Sequence, residues 1–182
     1  MNLVIPILNE KDEEIAYVHS TPISTDIFNK YYLVMGKAFS RIWSEGLGYV
    51  GGARVADKIL HTVAEEMGIW DSPTGVANGL IAEMQRLTNV IIAVPDIGWQ
   101  LFSLHDAKKK DLFSEDEITE VDALICFFTL AWHLHRKAQF AQMTGTQLNM
   151  LGARIESLSC TELVNSLQKL RSAASTGVTA AA

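Results

Sequence analysis

The chain has 182 residues, a formal net charge of −6 and a pI near 5.3. Its basic clusters are short and lie beside acids, so the charge pattern excludes nucleic acid as the main partner. The amino terminus lacks the pattern of a signal peptide, and the longest apolar run, about ten residues, is far below the roughly 20 that a bilayer span needs. Cys126 and Cys160 lie in different segments of a chain with no secretion signal, which favours free thiols. We therefore expect a cytosolic protein without a membrane segment.

The length and the run of elements predict a single globular domain. Residues 1–171 carry enough apolar residues to bury one hydrophobic core. Residues 172–182 are small and show no periodicity, which is typical of a disordered carboxyl-terminal tail.

The first half of the chain predicts a hairpin followed by helices. Residues 3–8 and 15–18 are β-prone runs around a polar turn, so they predict a β-hairpin with one face on the helical body. Ser24 caps a helix whose apolar stripe runs from Ile27 to Trp43 and which ends at Gly46. The following segments are a glycine-rich loop over 47–52 and helices over 53–67 and 76–88.

The second half predicts another hairpin and one dominant helix. Residues 90–94 and 99–104 flank a Pro-Asp-Ile-Gly turn and form the expected second hairpin. Residues 105–111 predict one or two helical turns, and 161–171 predict a last helix capped by Ser159 or Thr161. Between them, residues 114–141 predict a long helix that opens on a capping box of Ser114 and Glu117, with acids in its first turns and bases near its end.

The long helix is apolar on nearly every side from Ala123 to Trp132. A surface helix needs only one apolar stripe, so this helix is either wrapped by the rest of the domain or offers a side to another protein. We therefore expect an α+β fold that is predominantly helical, with the amino-terminal hairpin packed on a helical bundle around this central helix. Aromatic residues are common interface anchors, and the candidate partner-binding residues are Trp99, Phe127, Phe128 and Trp132.

The motifs that carry chemistry are weak. Gly46, Gly48 and Gly51 match the dinucleotide pattern G-x-G-x-x-G, but a helical stripe precedes them where the motif needs a strand. Cys126 and His133 share a helix face without the paired ligands of a zinc site. The turn at 157–162 holds serines and a thiol, yet a helix cap explains it better than a nucleophile does. We expect no cofactor, no metal and no enzymatic activity.

Several segments, in order along nearly the whole chain, resemble a family of tail assembly chaperones from long-tailed bacteriophages. They are residues 2–10 (NLVIPILNE), 17–24 (YVHSTPIS), 87–90 (LTNV), 98–100 (GWQ), 127–129 (FFT) and 157–162 (SLSCTE), together with the tail of small residues.

The resemblance implies a helper that binds the long, helical tape-measure protein in the cytoplasm of the bacterial host. Such a helper keeps the apolar surface of its client soluble before the tail tube polymerises. The resemblance also implies a longer, frameshifted form whose extension recruits tail tube subunits. Several copies bound along one long client would gain avidity, so we also expect self-association along the client. The alternative that the sequence leaves open is a structural component of the virion, such as a tail or neck protein.

Overall fold

The fold is built from one antiparallel sheet and a larger set of helices. The computed structural model describes residues 1–94 and 96–178, without the side chains of 48–50 and 171–178. Within these ranges the strands are β1 (Asn2–Leu8), β2 (Glu14–Ser20), β3 (Thr88–Val94), β4 (Gly98–Ser103) and β5 (Arg154–Glu156). The helices there are α1 (Thr25–Ser44), α2 (Gly48–Arg54), α3 (Ala56–Glu66), α4 (Ala82–Arg86), α5 (Leu104–Lys109), α6 (Glu115–Trp132), α7 (Lys137–Met150) and α8 (Cys160–Val178), with a π-helix (Val76–Ile81) leading into α4. The predicted α+β class with a helical majority is confirmed.

Both predicted hairpins form, and they share one sheet. The strand order is β4-β3-β2-β1-β5, so β2 and β3 join the two hairpins edge to edge, with Val18 opposite Val90. The short β5 adds a strand at the far side of β1, where Ile155 pairs with Leu3. Sequence patterns missed β5 because three residues are too few to show an alternation.

The two faces of the sheet are covered differently. Leu3, Val18 and Val90 belong to the main core, which the helical body closes. Their neighbours along the strands point the other way. On that second face Val4, Tyr17 and Ile91 form a separate, smaller cluster with Leu163 and Leu167 of α8. The molecule is therefore layered: helical body, sheet, and a single covering helix.

Helix α6 is the centre of the helical body, as the sequence predicted. Both halves of the capping box form, with Ser114 accepting from the Glu117 amide and Glu117 accepting from the Ser114 amide. Every side chain from Ala123 to Ala131 is buried. The helix packs against α1, α2, α3, α4, α7 and β1. Its apolar sides are thus covered by the chain's own elements.

The long helix is shorter than predicted. It ends at Trp132, and after a break over 133–136 the chain continues as α7. Two imidazoles at the break donate to backbone carbonyls: His133 Nε2 lies 2.9 Å from the Ile23 oxygen, and His135 Nδ1 lies 3.0 Å from the Ala131 oxygen. The second bond uses a carbonyl of the last helical turn, where side chains can replace the missing backbone donors. Of the basic residues predicted at the helix end, His133, His135 and Arg136 lie in this break and Lys137 begins α7.

The glycine-rich segment over 47–52 was predicted as a loop, which is wrong. Helix α2 begins at Gly48, and the predicted helix over 53–67 is divided at Val55 into α2 and α3. A Cβ added to Gly52 would meet Ile42 Cγ2 at 2.5 Å. This glycine therefore allows α2 to approach α1 closely, and its presence does not signal a flexible loop.

The predicted helix over 76–88 is also modified. Its first part is the π-helix, and its last residue already belongs to β3. The Tyr31 hydroxyl donates to the carbonyl oxygens of Thr74 (2.9 Å) and Gly75 (3.2 Å) just before it. A Cβ at Gly79 would lie 1.7 Å from that hydroxyl oxygen. The π-helix thus forms where the buried Tyr31 side chain lies directly against Gly79.

The last helix begins and ends differently from the prediction. Ser159 is its cap, because its amide and hydroxyl donate to Glu162 while the Glu162 amide donates back. The helix continues past residue 171 to Val178, so the first part of the segment expected to be a disordered tail is helical. Residues 179–182 of the predicted tail lie outside the described residues. Among the helices that the structure describes, none is both long and apolar enough to cross a bilayer.

Candidate functional site

The four predicted partner-binding residues do not form one surface. Phe127 and Phe128 are 0% exposed in the main core. Trp132, at the end of α6, is half-buried with its ring 5.0 Å from that of Phe140. Trp99 lies on the second face of the sheet, with its ring 5.3 Å from that of Tyr17 and its carbonyl accepting from Gln168 (3.1 Å).

These positions decide which candidates a partner can reach. Phe127 and Phe128 are enclosed by the domain, so a partner would have to unfold it to touch them. Trp99 is half-covered by α8. The all-round apolar pattern of α6 predicted burial and docking equally well, and the structure gives burial.

A partly exposed aromatic surface lies elsewhere, on α1, where Tyr32 is exposed and Phe28, Phe39 and Trp43 are half-buried against the main core. Phe28, Tyr32, Phe39 and Trp43 are separated by four, seven and four residues, so they follow one side of that helix next to its buried stripe. This side meets the turn after α6. We call the set of Phe28, Tyr32, Phe39, Trp43, His133 and His135 the aromatic band.

Contacts between the rings hold the side chains of the aromatic band in place. The Phe28 ring stacks on the His133 imidazole at 4.7 Å with planes 20° apart, and the Phe39 ring meets His135 edge-on at 5.2 Å. Phe39 also meets Trp43 edge-on at 5.8 Å. Because both imidazoles are held by backbone carbonyls, the band is largely preformed, which lowers the entropy lost on binding.

The aromatic band is accessible and has basic residues at its edge. Tyr32 is 59% exposed, and Leu134, between the two histidines of the turn, is 38% exposed. Phe28 and Phe39 are half-buried, while Arg136 and Lys137 follow the turn as exposed side chains. Rigid aromatic side chains that are partly exposed and bordered by charges are typical of protein-binding hot spots. The sequence pattern placed Phe28, Phe39 and Trp43 in the apolar stripe of α1, and the structure packs them against the main core. The pattern did not single out the exposed Tyr32.

A second feature is a half-open cavity of about 340 Å³ between α3 and α6. Its walls are mainly apolar, and α4, α5 and the end of the π-helix complete them. The apolar lining residues are Trp70, Ile81, Met84, Leu104 and Ile125; the polar and thiol-bearing ones include Asp57, His61, Asp122 and Cys126.

Charge inside the cavity is unevenly compensated. Lys108 Nζ contacts both carboxylate oxygens of Asp122, at 2.6 and 2.7 Å. For Asp57, burial raises the pKa of the carboxyl group, although a backbone hydrogen bond and the positive charge of Lys58 act in the opposite direction. Its Oδ1 is buried and has no hydrogen-bond donor among the described residues. The His61 imidazole meets the Trp70 ring edge-on at 4.2 Å. The cavity is therefore lined by one carboxylate in an ion pair and by a second carboxylate whose Oδ1 is closed to solvent.

Cys126 is a poor nucleophile in this setting. Burial, with smaller effects of Asp57 and Asp122, holds the pKa of its thiol well above the usual value. The thiolate is the reactive form, so this cysteine stays protonated near neutral pH. Within residues 1–94 and 96–178, no three His, Cys, Asp or Glu side chains are grouped so as to hold a metal ion.

No protein-family model, curated protein or solved structure matches this chain. A functional proposal therefore depends on the aromatic band, the cavity and the sequence segments described above.

Proposed function

We propose that this protein is a non-enzymatic tail assembly chaperone of a long-tailed bacteriophage. It binds the tape-measure protein in the host cytoplasm and keeps it soluble and competent for tail tube assembly. Two independent features support the proposal. The first is the resemblance of the ordered sequence segments to that chaperone family. The second, which carries the structural argument, is the aromatic band on α1 and the turn after α6.

The aromatic band suits a helical client. A tape-measure protein exposes apolar helix faces, and such a face is bound best by a preformed apolar surface. Tyr32 and Leu134 supply exposed apolar area, while the stack of Phe28 on His133 limits the ordering cost. Arg136 and Lys137 border the band, so we propose that it binds an amphipathic helix with acidic residues beside its apolar stripe.

The size of the aromatic band suits a weak contact with the client that several molecules repeat along its length. A long client offers many similar helical segments, and several copies bound along it would gain avidity without any single tight interface. Self-association along the client belongs to this proposal. So does a longer, frameshifted form that recruits tail tube subunits.

Coexpression with the tape-measure protein of the same phage tests the proposal. We expect the client to stay soluble and to copurify with this chain. Tyr32→Ala should reduce both, because it removes the most exposed ring of the band. Leu33→Ala is the matched control: it is the next residue of the same helix, 49% exposed, and it lies off the band. Equal losses in the two variants, or no complex with the wild-type chain, would contradict the proposal.

Mass spectrometry of purified virions separates the chaperone from a structural virion component. A chaperone should be absent from finished particles, whereas a tail or neck protein should be present in many copies. Detection at a fixed, high copy number per particle would favour the structural alternative.

A further inference from the structure

The cavity between α3 and α6 has the size of a small-molecule site. Its volume of about 340 Å³ lies within the range of ligand pockets. An apolar cavity of about 150 Å³ binds benzene, so this larger one has room for two fused rings with a substituent. Because the cavity is half-open, such a molecule can enter it without unfolding the domain.

The walls of the cavity favour an aromatic body. Trp70 brings an aromatic ring to the lining, and paired rings gain from offset or edge-on contact in addition to burial. The thioether of Met84 also makes favourable contacts with aromatic rings. Ile81, Leu104 and Ile125 supply further apolar surface, which is stabilised by the removal of water.

The wall at Ile81 is preformed. Ile81 is the last residue of the π-helix, a conformation that occurs often at functional sites. Tyr31 holds the start of this segment by its two hydrogen bonds to carbonyl oxygens, and Gly79 leaves room for the tyrosine ring. The shape of this wall is therefore set from outside the cavity, which lowers the ordering cost of binding.

The charges around the cavity are compensated within the protein. Lys108 Nζ contacts both carboxylate oxygens of Asp122. Burial raises the pKa of Asp57, and the positive charge of Lys58 opposes that rise. The two carboxylates of the lining are thus each matched by an ammonium group. An ion that entered would exchange its hydration for contact with charges that are already compensated, so the lining favours a neutral molecule.

The neutral polar groups of the lining favour a ligand with an amide group. The Thr62 hydroxyl donates to the Lys58 carbonyl oxygen within α3, at 2.9 Å. Gln85, half-buried on α4, brings a side-chain amide that has two N–H donors and a carbonyl acceptor. An amide on the ligand can form two hydrogen bonds with this group, one in each direction.

From the size, walls, charges and polar groups of this cavity, we infer that it binds a neutral, planar molecule of two fused aromatic rings that carries an amide group. The rings lie along Trp70, Ile81 and Met84, and the amide group lies against Gln85. The inference uses no residue of the aromatic band, so it does not depend on the proposed chaperone function.

Three probes of nearly equal shape test the charge preference on the intact chain near neutral pH: 2-naphthamide, 2-naphthoate and 2-naphthamidinium. Binding is measured by calorimetry and by NMR shifts of the Trp70 indole and the Met84 methyl group. The neutral amide should bind about tenfold more tightly than either ion, because each ion gives up its hydration. Equal or tighter binding of an ion, or no shift at Trp70 with any probe, would overturn the inference.

A fourth probe, 2-acetylnaphthalene, tests the contribution of Gln85. Its methyl ketone has the shape of the amide but cannot donate, so 2-naphthamide should bind about fivefold more tightly through one more hydrogen bond. Gln85→Met should remove this preference. Gln142→Met is the matched control, because Gln142 is an exposed residue of α7 outside the cavity, and it should keep the preference. No preference in the wild type, or the same preference in Gln85→Met, would overturn the inference.

Thr62→Trp tests the location of the site. Thr62 is an exposed residue at the mouth of the cavity, so the larger side chain narrows the entrance without any demand on the core. All four probes should bind more weakly to this variant. Unchanged affinities would show that the probes bind elsewhere and would contradict the inference.

Discussion

The two faces of the sheet differ in how much protein covers them. The inner face continues into a core shared by α1, α3, α6 and the π-helix, and α6 is buried on every side over 123–131. The outer face is covered by α8 through Leu163 and Leu167 on a cluster of three strand residues. The helical body on the inner face is thus indispensable to the fold, whereas the layer formed by α8 on the outer face is thin.

Because of this difference, the two layers should unfold in different ways. Elements that bury a large apolar area open only when the whole domain unfolds, whereas elements with few contacts open locally. Loss of α6 packing should therefore unfold the chain. Loss of α8 packing should release one helix while the sheet and the helical body stay folded.

Phe128→Asp should give the largest effect. It places an unpaired carboxylate at a position that is 0% exposed, which costs several kcal/mol beyond the lost packing. Circular dichroism should show no cooperative thermal transition. Leu134→Asp is the control just beyond the end of α6, at an exposed site, and should melt as the wild type does. A folded Phe128→Asp variant would show that α6 is less enclosed than described.

Gly79→Ala should come next. The added methyl group meets the Tyr31 hydroxyl, so the π-helix or the tyrosine must shift, at a cost of about 1–3 kcal/mol. Gly36→Ala, in the middle of α1 with no atom within 4 Å of the added methyl, should stabilise the fold by about 0.5–1 kcal/mol. Denaturant titration measures both changes. Equal signs for the two substitutions would contradict the close approach of Tyr31 to the π-helix.

Leu163→Ala should have a smaller and local effect. A buried leucine normally costs about 2–5 kcal/mol on truncation, but here the loss is limited by the free energy that holds α8 to the sheet. Hydrogen exchange should accelerate in α8 and leave α6 unchanged. Leu170→Ala, 66% exposed on the same helix, should change neither. Faster exchange in α6 as well would show that the two layers unfold together.

Acid should loosen α8 slightly and reversibly. The hydrogen bonds from Ser159 lower the pKa of Glu162 from its ordinary value of 4.5. A depressed carboxyl pKa gives a contribution that is present above the unfolded value and is lost as the pH falls through the folded one. Carbon NMR of the Glu162 carboxyl should show a midpoint below 4.5. Glu162→Gln should remove this pH dependence of α8, and an unchanged dependence would exclude Glu162 as its source.

The elements of the fold could be predicted from the sequence where a single local pattern dominated. β-prone runs on either side of a turn predicted both hairpins, and the capping box with its apolar run predicted the position of α6. The errors arose where a tertiary contact decided the outcome. At the end of α6, the His135 side chain donates a hydrogen bond to the Ala131 carbonyl. Gly52 was expected in a loop, but it lies in a helix and packs against Ile42.

The candidate site was predicted less well, for a physical reason. The sequence pattern around an apolar aromatic side chain is the same whether that side chain faces the core or a partner. Phe128 and Tyr32 both continue apolar helical stripes, yet one is enclosed and the other is mostly exposed. Only the packing of other elements around each helix separates them.

Hydrogen exchange of the chain, free and bound to the tape-measure protein, tests the central claim most directly. If the aromatic band binds the client, protection should appear over the middle of α1 and over residues 133–136, while α8 exchanges as in the free protein. Protection confined to α8 and the outer face of the sheet, with none on α1, would contradict the account.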